Sequence, residues 1–408
     1  MIEKYYSGVI EQIYNRIGKE TRNIVMANYS NDFSIENLEV IRRYQSNEDN
    51  VFFAYSEFSY NTLVGAYEPF LDIICNMHRR FIGGSFDDFQ KECGVYYLHR
   101  QVLNSYYETG ECFREETVLL NEVAYEQRRM TMAIADMLKK LSEVKPLMIV
   151  INRFQMASKS SIETIKYLID NPCANIGIVL GVNAIVKGTD STVEVWDRIV
   201  ESLEDRSAIY YIGSAGPLKN NVKTTNDDEL YITMNFEQSI QEASNIMEFL
   251  DFEQARRGCR IIEHKLKFED AWIDEKSLRR FYMVYARTSV LLGEMSKAIE
   301  LTNEYKALIP ENDSEHYLSL YYFMKGTCYM YQGKLEKAGN SAKSAYDYAV
   351  LAEDDTLIFK AELLSVMIKM SGWYNIFFCV QDIPVSDEII ENIVNIIANK
   401  YLQIKALN

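Results

Sequence analysis

The chain has 408 residues, with 43 Lys and Arg set against 59 Asp and Glu, for a formal net charge of −16. Its 48% hydrophobic and 12% aromatic content is enough to build two or three packed domains, which is at odds with a disordered chain. The acidic balance argues against direct nucleic-acid contact or broad contact with anionic lipid.

Seven cysteines (Cys75, Cys93, Cys112, Cys173, Cys259, Cys328 and Cys379) form an odd, scattered set without a C-x-x-C pair, the pattern of reduced thiols. The start, MIEKYYSGVIEQIYNRIGKE, lacks the basic head, apolar centre and small-residue cleavage site of a secretion signal. No apolar run reaches the 18 or so residues that a membrane span needs. These features together predict a cytoplasmic protein without a membrane segment. Six prolines and 16 methionines point to a largely helical chain.

In chain order, Tyr6, Val9, Ile10, Ile13, Tyr14 and Ile17 recur at helical spacing and predict a first helix. A strand is expected at 23–27, a helix carrying Ile35, Leu38, Val40 and Ile41, and a second strand at 51–58. Strand, helix and strand at this spacing make a βαβ unit and a parallel sheet. Long helical patterns follow, ending in one over 125–141. Leu147 to Ile151 is an unbroken apolar run with β-branched residues, a buried strand, and Ile162, Ile165, Leu168 and Ile169 mark the helix behind it. Further strands are expected at 176–182, 208–212 and 230–234, with loops at 188–191 and 213–228. Beyond Phe236 only helical patterns remain, so the expected domains are 1–235 and 236–408.

The helical half repeats itself. Gly293 is followed by Ala298, and Gly333 by Ala338, at the same interval of five. Gly326, Tyr329, Ala342 and Ala345 occupy small and aromatic positions around the second turn, and Pro310 closes the earlier copy. Weaker copies lie near Ala255 and Gly372. The pattern resembles the tetratricopeptide repeat (TPR), whose small residues let antiparallel helices pack closely.

The first 235 residues resemble the ATPase domain of the STAND class of signalling P-loop NTPases, of the MalT-like and LuxR-type regulator kind. The resemblance rests on AYEPFLDII (66–74), on the helix before Lys145-Pro146 and the strand after it, and on Ala157 with Ser161. It implies a P-loop-like parallel sheet followed by a helical solenoid. Its nucleotide-binding parts are degenerate. A P-loop needs glycines for close backbone approach, a lysine for the phosphates and a hydroxyl for Mg²⁺. The equivalent stretch has Ala27 and Asp32 in place of glycines and Phe33 in place of the lysine, and keeps only Ser34. At the end of the central strand, Asn152 and Arg153 stand where acids would hold the metal. Leu230 to Met234 leads almost directly into the repeats, so the lid and winged helix usual in this class are shortened.

Other candidates have plainer readings. His78, His99, His264 and His316 lack ligand spacing. Asp87-Asp88 after Gly83-Gly84 reads as a helix start capped by Ser85 or Asp87. Ser160-Ser161 reads as a helix N-terminus; Gly181 lies in the expected strand and Gly213 and Gly216 in a loop, none of them making the dinucleotide fingerprint. The many tyrosines of the repeats divide between core and interface, and Tyr282, Tyr285, Tyr321 and Tyr322 are the candidates for a partner groove.

The sequence thus predicts a non-enzymatic regulatory scaffold with no cofactor and no metal. Its repeats would bind a protein or peptide. The helix-like end IIANKYLQIKALN (396–408) has no polar cap, which suits a longer regulator, packing on a partner, or a second copy of the chain. The alternative expectation is an ATP-dependent switch, or a transcriptional regulator, with unconventional phosphate ligands such as Arg153 or Lys187.

Overall fold

The computed structural model describes residues 2–29, 38–46, 50–59, 63–112, 123–183, 193–212, 235–268, 273–312 and 314–379. The chain opens with helix α1 (Ile2–Arg16), strand β1 (Ile24–Tyr29), helix α2 (Glu39–Ser46) and strand β2 (Phe52–Glu57). Helices α3 (Phe70–Met77), α4 (Phe86–Glu92), α5 (Tyr97–Thr109) and α6 (Val123–Val144) then precede β3 (Leu147–Asn152). Next come α7 (Lys159–Asp170), β4 (Ile176–Asn183), α8 (Val193–Glu204) and β5 (Ile209–Ile212). Everything described after Asn235 is helix or turn: α9 (Phe236–Glu248), α10 (Phe252–Phe268), α11 (Glu275–Leu291), α12 (Met295–Ala307), α13 (Ser314–Tyr331), α14 (Leu335–Leu351) and α15 (Asp355–Cys379).

Among the described residues the five strands form one parallel sheet in the order β2-β3-β4-β1-β5. Parallel strands need crossover helices, and those helices must cover both faces. On one face, Tyr6, Val9, Ile10 and Ile13 of α1 and Leu38, Val40 and Ile41 with α2 share a core with Val25, Ala27, Phe53, Val150 and Val179. β3 and β4 are buried along their whole length, so the opposite face is covered as well; there α6 packs on α7 and α7 on α8. α8 is an element that the sequence reading passes over. Its buried Trp196, Ile199 and Leu203 fall at helical spacing, but the polar stretch before it hides the start. The strand expected at 230–234 and the loops at 188–191 and 213–228 lie outside the described residues.

Gly177 and Gly181 belong to β4, within the strand expected at 176–182, and they set how close α1 lies. A methyl group built at Gly177 would sit 2.9 Å from side-chain carbons of Ile13 and Ile17. One at Gly181 would strike the Tyr6 hydroxyl and lie 2.9 Å from Asn152 Oδ1. Glycine is the residue that permits this approach.

The chain forms two compact units, Met1–Ile309 and Pro310–Asn408. Strand signals end before Phe236, while the packing division falls after Ile309, because α9 and α10 are bonded to the sheet-bearing part. Asn245 accepts the Cys112 amide at 2.9 Å, Gln254 donates to the Val64 carbonyl at 2.9 Å, and Asp251 accepts the Ser160 amide at 3.0 Å. Around that last bond, Tyr67 donates its amide to Ser160 Oγ at 3.0 Å and Ser161 Oγ donates to the Glu68 carbonyl at 2.7 Å. The segment leaving β2 is thereby tied to the N-terminus of α7 and to the turn between α9 and α10.

Among the described residues six helix ends share one backbone solution, two of them, at Gly94 and Ser207, before α9 and four after it. At Leu250, Gly293, Gly333 and Glu353 the chain turns left-handed, with φ of 70°, 78°, 72° and 53°. In each, the residue after it donates to a carbonyl five back, as Glu294 does to Ser289 and Asp354 to Ala349. This is the Schellman termination, in which glycine is favoured because it carries no Cβ penalty. The Gly293 and Gly333 turns are legible in sequence; those at Leu250 and Glu353 lack the glycine that would announce them. Ala255, the site of the expected earlier copy, is buried five residues after Leu250. Gly372, the site of the expected later copy, lies inside α15, and the turn before that helix is at Glu353. In the second unit Met330, Ala338, Ala342, Leu364 and Ile368 form the core. A methyl group at Gly326 would come within 3.0 Å of Leu364, so that glycine lets α13 approach α15.

Replacing the exposed Glu353 by glycine removes a left-handed strain of about 1 kcal/mol. Glu353→Gly is therefore expected to raise the free energy of urea unfolding by about 0.5–1 kcal/mol, and Gly333→Ala to lower it by about 1–2 kcal/mol.

Candidate functional site

In a parallel sheet, ligands bind beyond the carboxyl ends of the strands where successive connections leave on opposite faces. The neighbours β1 and β4 meet this condition: α2 follows β1 on the α1 side, and α8 follows β4 on the side of α7. The candidate site is the carboxyl edge of β2, β3, β4 and β1, where Glu57, Asn152, Asn183 and Tyr29 end their strands.

That edge is closed by its own side chains. The Tyr29 hydroxyl donates to Asn152 Oδ1 at 2.7 Å. Tyr29 and Asn152 belong to β1 and β3, with β4 between them, so this bond crosses the intervening strand over the bare backbone of Gly181. Asn152, fully buried, then donates Nδ2 to Glu57 Oε1 at 3.1 Å. The same Glu57 oxygen pairs with the Arg153 guanidinium at 3.2 Å, and the Tyr55 hydroxyl donates to the other oxygen. Arg153 sits in the left-handed region (φ 53°) and also donates to the Phe58 carbonyl at 3.4 Å. Tyr6 of α1 lies over the network, edge-on to Tyr29 with centroids 6.5 Å apart. Burial, then the neighbouring Tyr29, Tyr55 and Glu57, hold its hydroxyl well above the usual tyrosine range, so it stays protonated.

Asn152 ends β3 and Arg153 follows it, as their sequence order requires, but β3 is the second strand of the sheet and β4 the middle one. The amide is a structural bridge and the guanidinium neutralises a carboxylate. Glu57 is the residue that sequence reasoning missed; the signal lay in the strand pairing, which sets it directly opposite Asn152. Ala27 is buried in β1, while Asp32, Phe33, Ser34 and Lys187 lie outside the described residues. On the other face of β1, Asn28 is buried with its Oδ1 lacking a hydrogen-bond partner among the described residues.

The remaining candidates resolve into packing. Ser85 caps α4 by accepting the Asp88 amide at 3.2 Å, and Ser158 caps α7. His78 is wedged among Phe86, Phe89 and Tyr107, where burial and then Arg79 hold its pKa below the ordinary value. His99 meets Glu126 at 3.0 Å, and His316 meets Asp354 at 3.1 Å. Among the described residues no group of three or more His, Cys, Asp or Glu is arranged to hold a metal ion, and no helix is long and apolar enough to cross a membrane.

Of the four groove tyrosines, Tyr285 and Tyr321 are buried, which assigns them to packing rather than to a groove surface. Tyr285 lies against Phe281 in the first unit, and the Tyr321 hydroxyl accepts from Lys325 at 2.8 Å in the second. Tyr282 and Tyr322 are half-buried, and Tyr322 stacks on Tyr348 with centroids 5.6 Å apart. No protein-family model matches the chain and no curated protein matches its sequence.

Asn152→Asp places an acid at this edge, but it removes the donor that Glu57 uses and sets a second carboxylate against it. It is expected to cost about 2–4 kcal/mol, read as a lowered thermal unfolding midpoint at pH 8 that partly recovers at pH 5, where the pair can share a proton.

Proposed function

We propose that the chain is a non-catalytic regulatory scaffold: an inactive P-loop-NTPase-like domain of STAND character joined to TPR-like repeats that take a protein or peptide partner in the cytoplasm. The observation that carries this reading is the occupied edge of the sheet. A hard cation and a triphosphate need free carboxylate oxygens, a cationic side chain and open backbone amides. Here both oxygens of Glu57 are engaged, one by Asn152 and Arg153 and the other by Tyr55. The guanidinium that would serve as an unconventional phosphate ligand is held by that same carboxylate.

The strand order and the two-faced helical cover support the α/β part of the reading. The recurring turns at Leu250, Gly293, Gly333 and Glu353, with Ala298 and Ala338 buried behind the two glycine turns, support the repeat part. Stacked helix pairs present grooves suited to an extended peptide or a helix.

Isothermal titration of the full chain with Mg-ATP and with Mg-ADP tests the reading. No binding is expected up to millimolar nucleotide. Sub-micromolar affinity, or measurable hydrolysis, would establish an ATP-dependent switch instead.

A further inference from the structure

Away from the sheet edge, the segment between β2 and α3 meets α9 around a cavity of about 230 Å³ lined by Gly65, Glu68, Asp72, Tyr106, Glu242 and Asn245. Three carboxyls from two chain segments converge there. The contact is close: a methyl group built at Gly65 would lie 2.9 Å from Glu242 Oε1 and 3.3 Å from Glu68 Oε2. One at Gly258 of α10 would lie 2.7 Å from Leu63, so the segment is seated on α10 through a second glycine. The Gly65 amide donates to Glu68 Oε2 at 2.8 Å, and the Tyr106 hydroxyl donates to Asp72 Oδ1 at 3.0 Å.

The groups that act on Glu242 are acidic. They are Glu68 and Asp72 from the segment and α3, while Tyr106 of α5 is itself pushed up by burial, Asp72 and Glu242. Three arginines of α10 and α11 serve other partners. Arg280 binds Gln241, Arg287 pairs with Glu248 at 2.9 Å, and Arg256 pairs with Glu294 at 2.6 Å. An ionised Glu242 would add a negative charge beside Glu68 and Asp72 in this half-buried site, and no cation figures among the described groups that shift it, so burial makes the charge costly.

We infer that the Glu242 carboxyl is a proton-operated latch, closing the 63–72 segment on α9 while protonated and releasing it when ionised. Burial, then Glu68 and Asp72, push this carboxyl up to about 7. Glu68 moves in the same direction, chiefly through burial and against the Gly65 amide. A released, solvated Glu242 has the ordinary value of about 4.5. Closure is therefore favoured in full below about pH 4.5 and is lost as pH rises through about 7. The inference does not depend on whether the sheet edge takes nucleotide.

Hydrogen exchange of the full chain at pH 6 and pH 8, corrected for intrinsic exchange rates, reads the latch directly. Amides of 63–72 and 236–248 are expected to lose about tenfold in protection between the two values. In Glu242→Gln, which is permanently uncharged, that loss should vanish and the pH 8 protection should match the pH 6 value. A wild-type protection without pH dependence, or the same dependence in the variant, overturns the inference. Asp72→Asn provides a second reading that does not rely on the first variant folding: with one repelling charge removed, the opening midpoint shifts to lower pH, and an unmoved midpoint also overturns the inference.

Discussion

The amide of Asn152 holds the sheet edge together because it can do what a carboxylate in its place cannot. It accepts from Tyr29 on one side and donates to Glu57 on the other, so a single side chain links β1, β3 and β2. An aspartate would accept twice and leave Glu57 facing a like charge in a buried setting. The bridge in turn demands that β4, which lies between β1 and β3, present nothing at that level. Gly181 meets the demand, and the same gap admits Tyr6 from α1. Helix approach, strand order and edge chemistry are therefore one constraint: filling Gly181 would push away α1 and part the bridge together.

Much of this was legible before any coordinates. Unbroken apolar runs announce β3 and β4, because strands covered on both faces have no polar side to alternate. The glycines of the 293 and 333 turns announce two helix ends, since a left-handed residue selects glycine. The uncharged and cationic character of the edge at Asn152 and Arg153 could be read because charge type is a property of the residue itself. Glu57 could not. Its role depends on lying beside Asn152 in the register, a relation between positions 95 apart in the chain that no local pattern encodes. The turns at Leu250 and Glu353 were hidden for a different reason: tertiary packing overrode a local preference, most plainly at Leu250, whose side chain is buried. The strand around Gly181 is legible, but the glycine's task is not, because a glycine that makes room for another element carries no local mark of doing so.

The domain boundary shows the same limit. Composition changes where strands end, near 235, yet α9 and α10 are bonded to the sheet-bearing part through Asn245, Asp251 and Gln254. All three are polar residues buried at contacts far apart in sequence. Periodicity reads apolar faces and does not report polar anchors, so the packing division after Ile309 leaves little trace in the hydrophobic pattern.

The 63–72 segment joins these two observations, because its two sides are held by different chemistry. Toward α7 it is fixed by Tyr67 to Ser160 and by Ser161 to the Glu68 carbonyl, bonds between groups that do not titrate in the physiological range. Toward α9 and α10 it is held by Gln254 on the Val64 carbonyl and by Tyr67 edge-on to Phe249, and it also meets carboxyls whose ionisation the surroundings oppose. Ionisation of Glu242 would loosen only the part of this seat that the carboxyls make. Any motion that follows therefore changes how the segment meets α9 and leaves its hold on the helix behind β3 in place. The sheet edge, locked by Asn152 and Glu57, is the fixed frame against which the movement takes place.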